Sequence, residues 1–176
     1  MNSAQYAVAT FYKFIKISDP IEIQKKLKEA AVLSNIRGLI ILGHEGINST
    51  VCAPSSEELE VFKNFIKAEF DAADLMFKHS FSEQLPFRRF VVKIRDEIVT
   101  LGTPELFPDK NKNHHLSSDE WNKILKEEKD FLLVDTRNWY ETQIGTFKGA
   151  VNPGIDKFTE FPEWLEKQNL WRSQSL

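Results

Sequence analysis

The sequence predicts an α+β fold: a ferredoxin-like βαββαβ unit, followed by the opening elements of an α/β domain. Three observations predict it. Two amphipathic helical stretches, each with its own N-cap, are interleaved with four strand-like runs over residues 7–82. A polar stretch with two prolines, "TPELFPDKNKNHH", then reads as a linker. Beyond it the order changes to helix, strand and loop, which suits the start of an α/β domain.

The first run, "AVATFYKFIKI", is rich in aromatic and β-branched residues and reads as a strand. A helix start follows: Asp19 caps, Pro20 suits the first helical position, and Glu22 lies three residues after the cap. Ile23, Leu27, Ala30 and Ala31 share one apolar face. Gly38 comes shortly after that helix, and "GLIILG" is an apolar run of strand length. "HEGINSTVCA" supplies Gly46 as a turn residue and then a β-branched run. In the second helix Ser55 and Glu58 form a capping-box pattern, with Leu59, Phe62 and Ile66 on one face. "DLMFKHSFS" completes the unit as its fourth strand. The core is expected to include Phe11, Leu27, Ile40, Val51, Phe62, Ile66 and Phe77.

"LPFRRFVVKIRDEIVTLG" adds a further strand in which Phe90, Val92 and Ile94 alternate with Arg89, Val91, Lys93 and Arg95. A regular strand there has one apolar face and three cations on the other. After the linker, Ser117 and Glu120 form a capping box, and Leu116 is placed to staple onto Trp121. "FLLVDTR" reads as a buried-type strand, apolar on both faces and in need of neighbours on both sides.

Bulk composition narrows the function classes. Hydrophobic residues at 41% and charged residues at 28% are an ordinary globular balance. The net charge of −3 excludes a global field that steers the chain to nucleic acid or anionic membrane, so any such binding needs a local basic patch. A single cysteine cannot form an internal disulfide, which points to a reducing compartment. The N-terminus has no basic region followed by an uninterrupted apolar run, and no stretch approaches the roughly 20 apolar residues of a membrane span. A cytoplasmic protein without membrane contact is expected.

Several groups are candidates for chemistry. Cys52 precedes the second helix by a few residues, where a helix dipole favours a thiolate. It also ends an apolar strand, where cysteine is usually a small buried hydrophobe, and that reading is preferred. His44, His79, His114 and His115 lack metal-ligand spacing, so no metal site is expected. "GHEGINST" is a tight polar loop able to meet a phosphate or base edge, with Glu45 and Asn48 as candidate contacts; it reads equally as a hairpin turn. Arg88, Arg89, Lys93 and Arg95 form the densest basic group, with Lys78 nearby and Phe87 available for stacking. Against that stands the reading of a solvated strand face. Asp135, Arg137 and Glu141 leave a strand end together, as a charge network fixing a loop or as ordinary surface pairs.

"GLIILGHEGINSTV", "PFRRFVVKIRDEIVTLG" and "LLVDTRNWYETQIGTFKGAVNP" together resemble the rhodanese-related tRNA uridine hydroxylase family (TrhO), in order over almost the whole chain. The resemblance implies an acylphosphatase-like domain over residues 1–102, a linker at 103–115, and an incomplete rhodanese domain over 116–176. The implied activity is oxygen-dependent hydroxylation of the wobble uridine of tRNA to 5-hydroxyuridine. Molecular oxygen is the implied co-substrate, the anticodon region of tRNA the implied partner, and no other cofactor motif is evident. Asp135, Arg137 and Glu141 then support the rhodanese motif, and the contact reading of the basic strand gains weight. In the family a reactive cysteine follows in a Cys-Thr-Gly-Gly-Ile-Arg-Cys type loop. Here "NLWRSQSL" comes first and Cys52 is not its match, so the catalytic residue has no counterpart and this chain alone is expected to be inactive. The alternatives are a rhodanese-type sulfurtransferase and a non-catalytic RNA- or protein-binding adaptor. Oligomeric state is left open.

Overall fold

A computed structural model describes residues 5–102, 116–127 and 131–168. The expected linker, His114, His115 and most of "NLWRSQSL" lie outside the described residues. Two compact units divide the chain, Met1–Val99 and Thr100–Leu176.

The first unit runs β1 (Tyr6–Phe14), α1 (Pro20–Leu33), β2 (Arg37–Gly43), β3 (Gly46–Ala53), α2 (Ser56–Glu69), β4 (Lys78–Ser82) and β5 (Phe90–Ile94). The sheet order is β4-β1-β3-β2-β5, antiparallel except that β5 runs parallel to β2. The first four strands and two helices give the expected βαββαβ arrangement. The fifth strand adds to the β2 edge.

Asp19 starts α1 by accepting from the Ile21 and Glu22 amides at 3.0 Å. Ser55 starts α2 by accepting from the Glu58 amide at 3.2 Å. The reciprocal half of the expected box is taken elsewhere, because the Glu58 carboxylate accepts from Asn35 Nδ2 at 2.6 Å. Each helix ends in a left-handed residue, Asn35 (φ 50°) and Asp71 (φ 45°). The next amide then reaches back, Ile36 to the Ala31 carbonyl and Ala72 to the Lys67 carbonyl. Lys26 ties the two helices together through Glu69 at 2.7 Å.

Alternation along the strands separates two faces. Ala7, Ala9 and Phe11 point under the helices, as do Ile40, Leu42, Ile47, Val51 and Val92. Leu27, Phe62 and Ile66 close over them from α1 and α2. Six of the seven expected core residues are therefore buried. Phe77 is half-buried, because it precedes the edge strand and packs its ring on Phe11 at 4.8 Å.

Three expected elements differ. The first strand stops at Phe14, where its partner β3 begins at Gly46. Beyond it, the Ile15 and Ile17 amides donate to the Glu45 and His44 carbonyls at 2.9 Å. The basic strand is regular only over Phe90–Ile94, so Lys93 alone of the three cations lies within it. "FLLVDTR" forms a single parallel bridge, Val134 to Val151, and Leu132 is 45% exposed. A strand apolar on both faces needs more neighbours than the second unit supplies among the described residues.

That unit holds α3 (Ser118–Glu127), α4 (Trp139–Ile144), a 3-10 turn (Phe158–Glu160) and α5 (Phe161–Lys167). The Ser117–Glu120 box forms at both ends. Trp121 makes its ring contact with Phe147 at 5.9 Å, and Leu116 is 41% exposed.

Replacing Asp19 with alanine removes the acceptor of two helix-end amides. We expect a loss of about 1 kcal/mol, read as a lower denaturation midpoint with an unchanged denaturant slope.

Candidate nucleic-acid interface

The loop of "GHEGINST" is a two-residue hairpin, His44 and Glu45, closed by the pairing of Gly43 with Gly46. Gly46 has φ 151°, and a Cβ there would lie 2.1 Å from the Lys13 carbonyl oxygen. The neighbouring polar residues have structural partners. Glu45 accepts from the Ile98 amide, Asn48 Nδ2 donates to the Ile98 carbonyl at 3.1 Å, and His44 Nδ1 meets the Ile17 carbonyl at 2.9 Å. Ile98 is 2% exposed under this grip. The hairpin reading accounts for the motif: Glu45 and Asn48 fasten the chain that leaves β5, with Glu45 half-buried.

The basic group surrounds β5. Arg88 and Arg89 occupy the bend before it, Lys93 lies within it, and Arg95 follows it; all four are exposed. The backbones of the flanking residues extend the ladder, with the Gly38 amide donating to the Arg89 carbonyl and the Arg95 amide to the Leu42 carbonyl. Lys78 is not their neighbour. It begins β4, on the opposite edge, about 19 Å away at four strand spacings. Arg37, which the sequence reading passed over, sits on β2 and donates to the Arg88 carbonyl at 3.1 Å. Phe87 is half-buried.

Cys52 is 1% exposed, opposite Val8 and Arg37. Burial pushes its thiol up, outweighing the lowering by the Phe87 backbone and the Arg37 charge. It lines a cavity of about 130 Å³ with Tyr6, Asn35, Arg37 and Leu85. A protonated, enclosed thiol is a poor nucleophile, which agrees with the bland reading. His79 stands edge-on to Phe77.

In the second unit, Asp135 is 8% exposed and Arg137 grips it from two nitrogens, Nε to Oδ1 at 2.9 Å and Nη2 to Oδ2 at 2.6 Å. Thr146 Oγ1 donates to the same Oδ2 at 2.7 Å, and Arg137 Nη2 also donates to the Gly145 carbonyl at 2.7 Å. Arg137 and then Thr146 hold the Asp135 carboxyl well below the usual carboxylate range. Glu141 caps α4 by accepting from Asn138. The three residues therefore fix the loop between the Val134 bridge and Thr146, and the loop-fixing reading of the pattern describes their geometry.

Residues 6–98 match the family described as UPF0176 acylphosphatase like domain. The chain belongs to this family. The UPF0176 chain also has curated relatives named tRNA uridine(34) hydroxylase. One from Bdellovibrio bacteriovorus (strain HD100) is 51% identical over 174 residues, covering 99% of this chain and 50% of the relative. Another from Legionella pneumophila (strain Corby) is 38% identical over 160 residues, covering 91% and 62%. A third from Prochlorococcus marinus (strain MIT 9215) is 36% identical over 168 residues, covering 94% and 54%. The chain spans about half the length of the first of these relatives. The acylphosphatase-like match agrees with the expected fold of the first unit. Among the described residues, no helix is long and apolar enough to cross a membrane.

Two outcomes follow from this geometry. Asn48→Ala leaves the buried end of the Ile98 segment short of a donor, and unfolding should become easier by about 1–3 kcal/mol in chemical denaturation. For Asp135, carboxyl NMR should show ionisation persisting below the ordinary value of about 3.9. The stabilisation of its loop is complete above that value and fades as the pH falls through the lowered folded value. Arg137→Ala should move the titration back up.

Proposed function

We propose that this chain works in the hydroxylation of wobble uridine in tRNA, as part of a tRNA uridine(34) hydroxylase that yields 5-hydroxyuridine with molecular oxygen as co-substrate. The observation that carries the reading is the 51% identity with the Bdellovibrio bacteriovorus tRNA uridine(34) hydroxylase over nearly the whole chain. In this reading the acylphosphatase-like unit binds tRNA near the anticodon, in the cytoplasm. The second unit belongs to a rhodanese domain, in which the Asp135 loop is scaffold.

The exposed cations around β5 support the binding role. Arg88, Arg89, Lys93 and Arg95 appear in no ion pair among the described residues, so contacting phosphate costs no existing pair. Glu45 and Asn48 act one step removed, by holding the segment that follows Arg95.

Deleting the gene should remove 5-hydroxyuridine from tRNA hydrolysates analysed by mass spectrometry. Persistence of the nucleoside together with loss of tRNA thiolation would favour the sulfurtransferase alternative. Replacing Arg89, Lys93 and Arg95 with alanine should weaken tRNA binding and flatten its salt dependence, because each lost phosphate contact releases fewer counterions. Unchanged affinity and slope would return these cations to an ordinary solvated surface.

A further inference from the structure

The helix-free face of the first unit's sheet is covered at both ends but not across its middle. The chain from β4 to β5 must cross the sheet, since those strands are its two edges. It crosses beside Cys52, which meets the Phe87 backbone, and beside Arg37, which meets the Arg88 carbonyl. That crossing explains why Val8 and Cys52 are buried on a face without helices. At the other end Ile98 closes over Gly43, where a Cβ would lie 3.4 Å from the Ile98 side chain, and Asn48 holds it there.

Between these two crossings lie two rows of side chains running across the strands. One row is Lys78, Thr10, Thr50, Leu39 and Val91. The next is Tyr12, Asn48, Ile41 and Lys93. Tyr12 is 44% exposed, Thr10 and Lys93 are exposed, and the Thr10 and Thr50 hydroxyls meet at 3.1 Å. Strand spacing makes this band about 19 Å long.

The charges on the band are one-sided. Lys78 and Lys93 mark its opposite edges, and no carboxylate projects from the strand positions of this face. Glu83, Asp96 and Glu97 are confined to the bounding segments, and acidic side chains otherwise gather on the helix side, as with Glu22, Glu60 and Glu69. An exposed aromatic ring, a floor of hydroxyls and short apolar groups, and a cation at each edge suit one kind of occupant. Bases stack on the ring and pack on the floor, while phosphates reach the lysines. A duplex is too wide and stiff to lie between the two crossings.

We propose that this band binds a single-stranded RNA segment, about two or three nucleotides long, with Tyr12 as the stacking residue and Lys78 and Lys93 on phosphates. The proposal deepens the tRNA reading and rests on it for the identity of the RNA.

The test measures fluorescence anisotropy of a labelled single-stranded heptaribonucleotide, and of a blunt RNA duplex, with the 176-residue chain across a salt series. The single strand should bind more tightly than the duplex. Tyr12→Ala should weaken it about tenfold, and Tyr12→Phe should retain binding. Lys78→Ala and Lys93→Ala should each lower the salt slope by about 0.7. Lys25→Ala and Lys28→Ala, on α1, should change neither. Circular dichroism checks each variant's fold; if Tyr12→Ala does not fold, Lys78→Ala on the exposed edge decides by itself. Absence of RNA binding, equal binding of duplex, indifference to a folded Tyr12→Ala, or an equal effect of the α1 substitutions would overturn the proposal. The two readings fail separately. Loss of 5-hydroxyuridine on gene deletion with Tyr12-independent binding removes the platform alone, and Tyr12-dependent binding with unchanged 5-hydroxyuridine removes the hydroxylase reading alone.

Discussion

The grip of the β2–β3 hairpin on the chain around it organises the first unit. Two strands meet there through Gly43 and Gly46, with only His44 and Glu45 between them. The carbonyls of those two residues receive the segment that leaves β1, and the side chains of Glu45 and Asn48 receive the segment that leaves β5. Three separate parts of the chain are thus registered against one turn. Such a grip is intolerant of side-chain volume at the glycines, since Lys13 and Arg95 approach with backbone oxygens rather than flexible ends. The interior then fills predictably, because register decides which residues face α1 and α2.

Much of this was legible in the sequence. Helix starts at Asp19 and Ser55 were readable because an N-cap acts locally, through amides two or three residues away. The alternation in β1 and the apolar stripes of both helices identified the interior for the same reason. Helix ends were less visible. Asn35 and Asp71 adopt the left-handed conformation that glycine usually supplies, and Gly38 drew attention away from Asn35. The reach of Glu58 to Asn35 instead of its own cap depends on how two elements pack, which no local pattern contains.

The candidate site was legible in kind and misplaced in detail. A run such as "FRRFVVKIR" announces a basic edge, but not that its arginines fall in the bends flanking a five-residue strand. Lys78 was grouped with these cations by sequence proximity, while the strand order carries it to the far edge. Tyr12 and Thr10 went unnoticed because attention rested on the apolar half of β1. The polar half, read as a set with Thr50 and Lys93, was the available signal. Asp135 and Arg137 illustrate the reverse case. Two residues apart, they pair within one turn, so their geometry could be read from spacing once a loop was assumed.

The strand order places β4 and β5 at the rims of the sheet, and each rim has a lysine, Lys78 and Lys93. A rim presents backbone donors and acceptors that any extended chain can pair with, and a charged side chain is a common deterrent to such growth. The lysines therefore do more than attract phosphate. They keep one molecule's sheet from continuing into another's. Neutralising both would remove a safeguard against self-association as well as a point of attraction, so solubility and recognition are coupled through the same two ammonium groups.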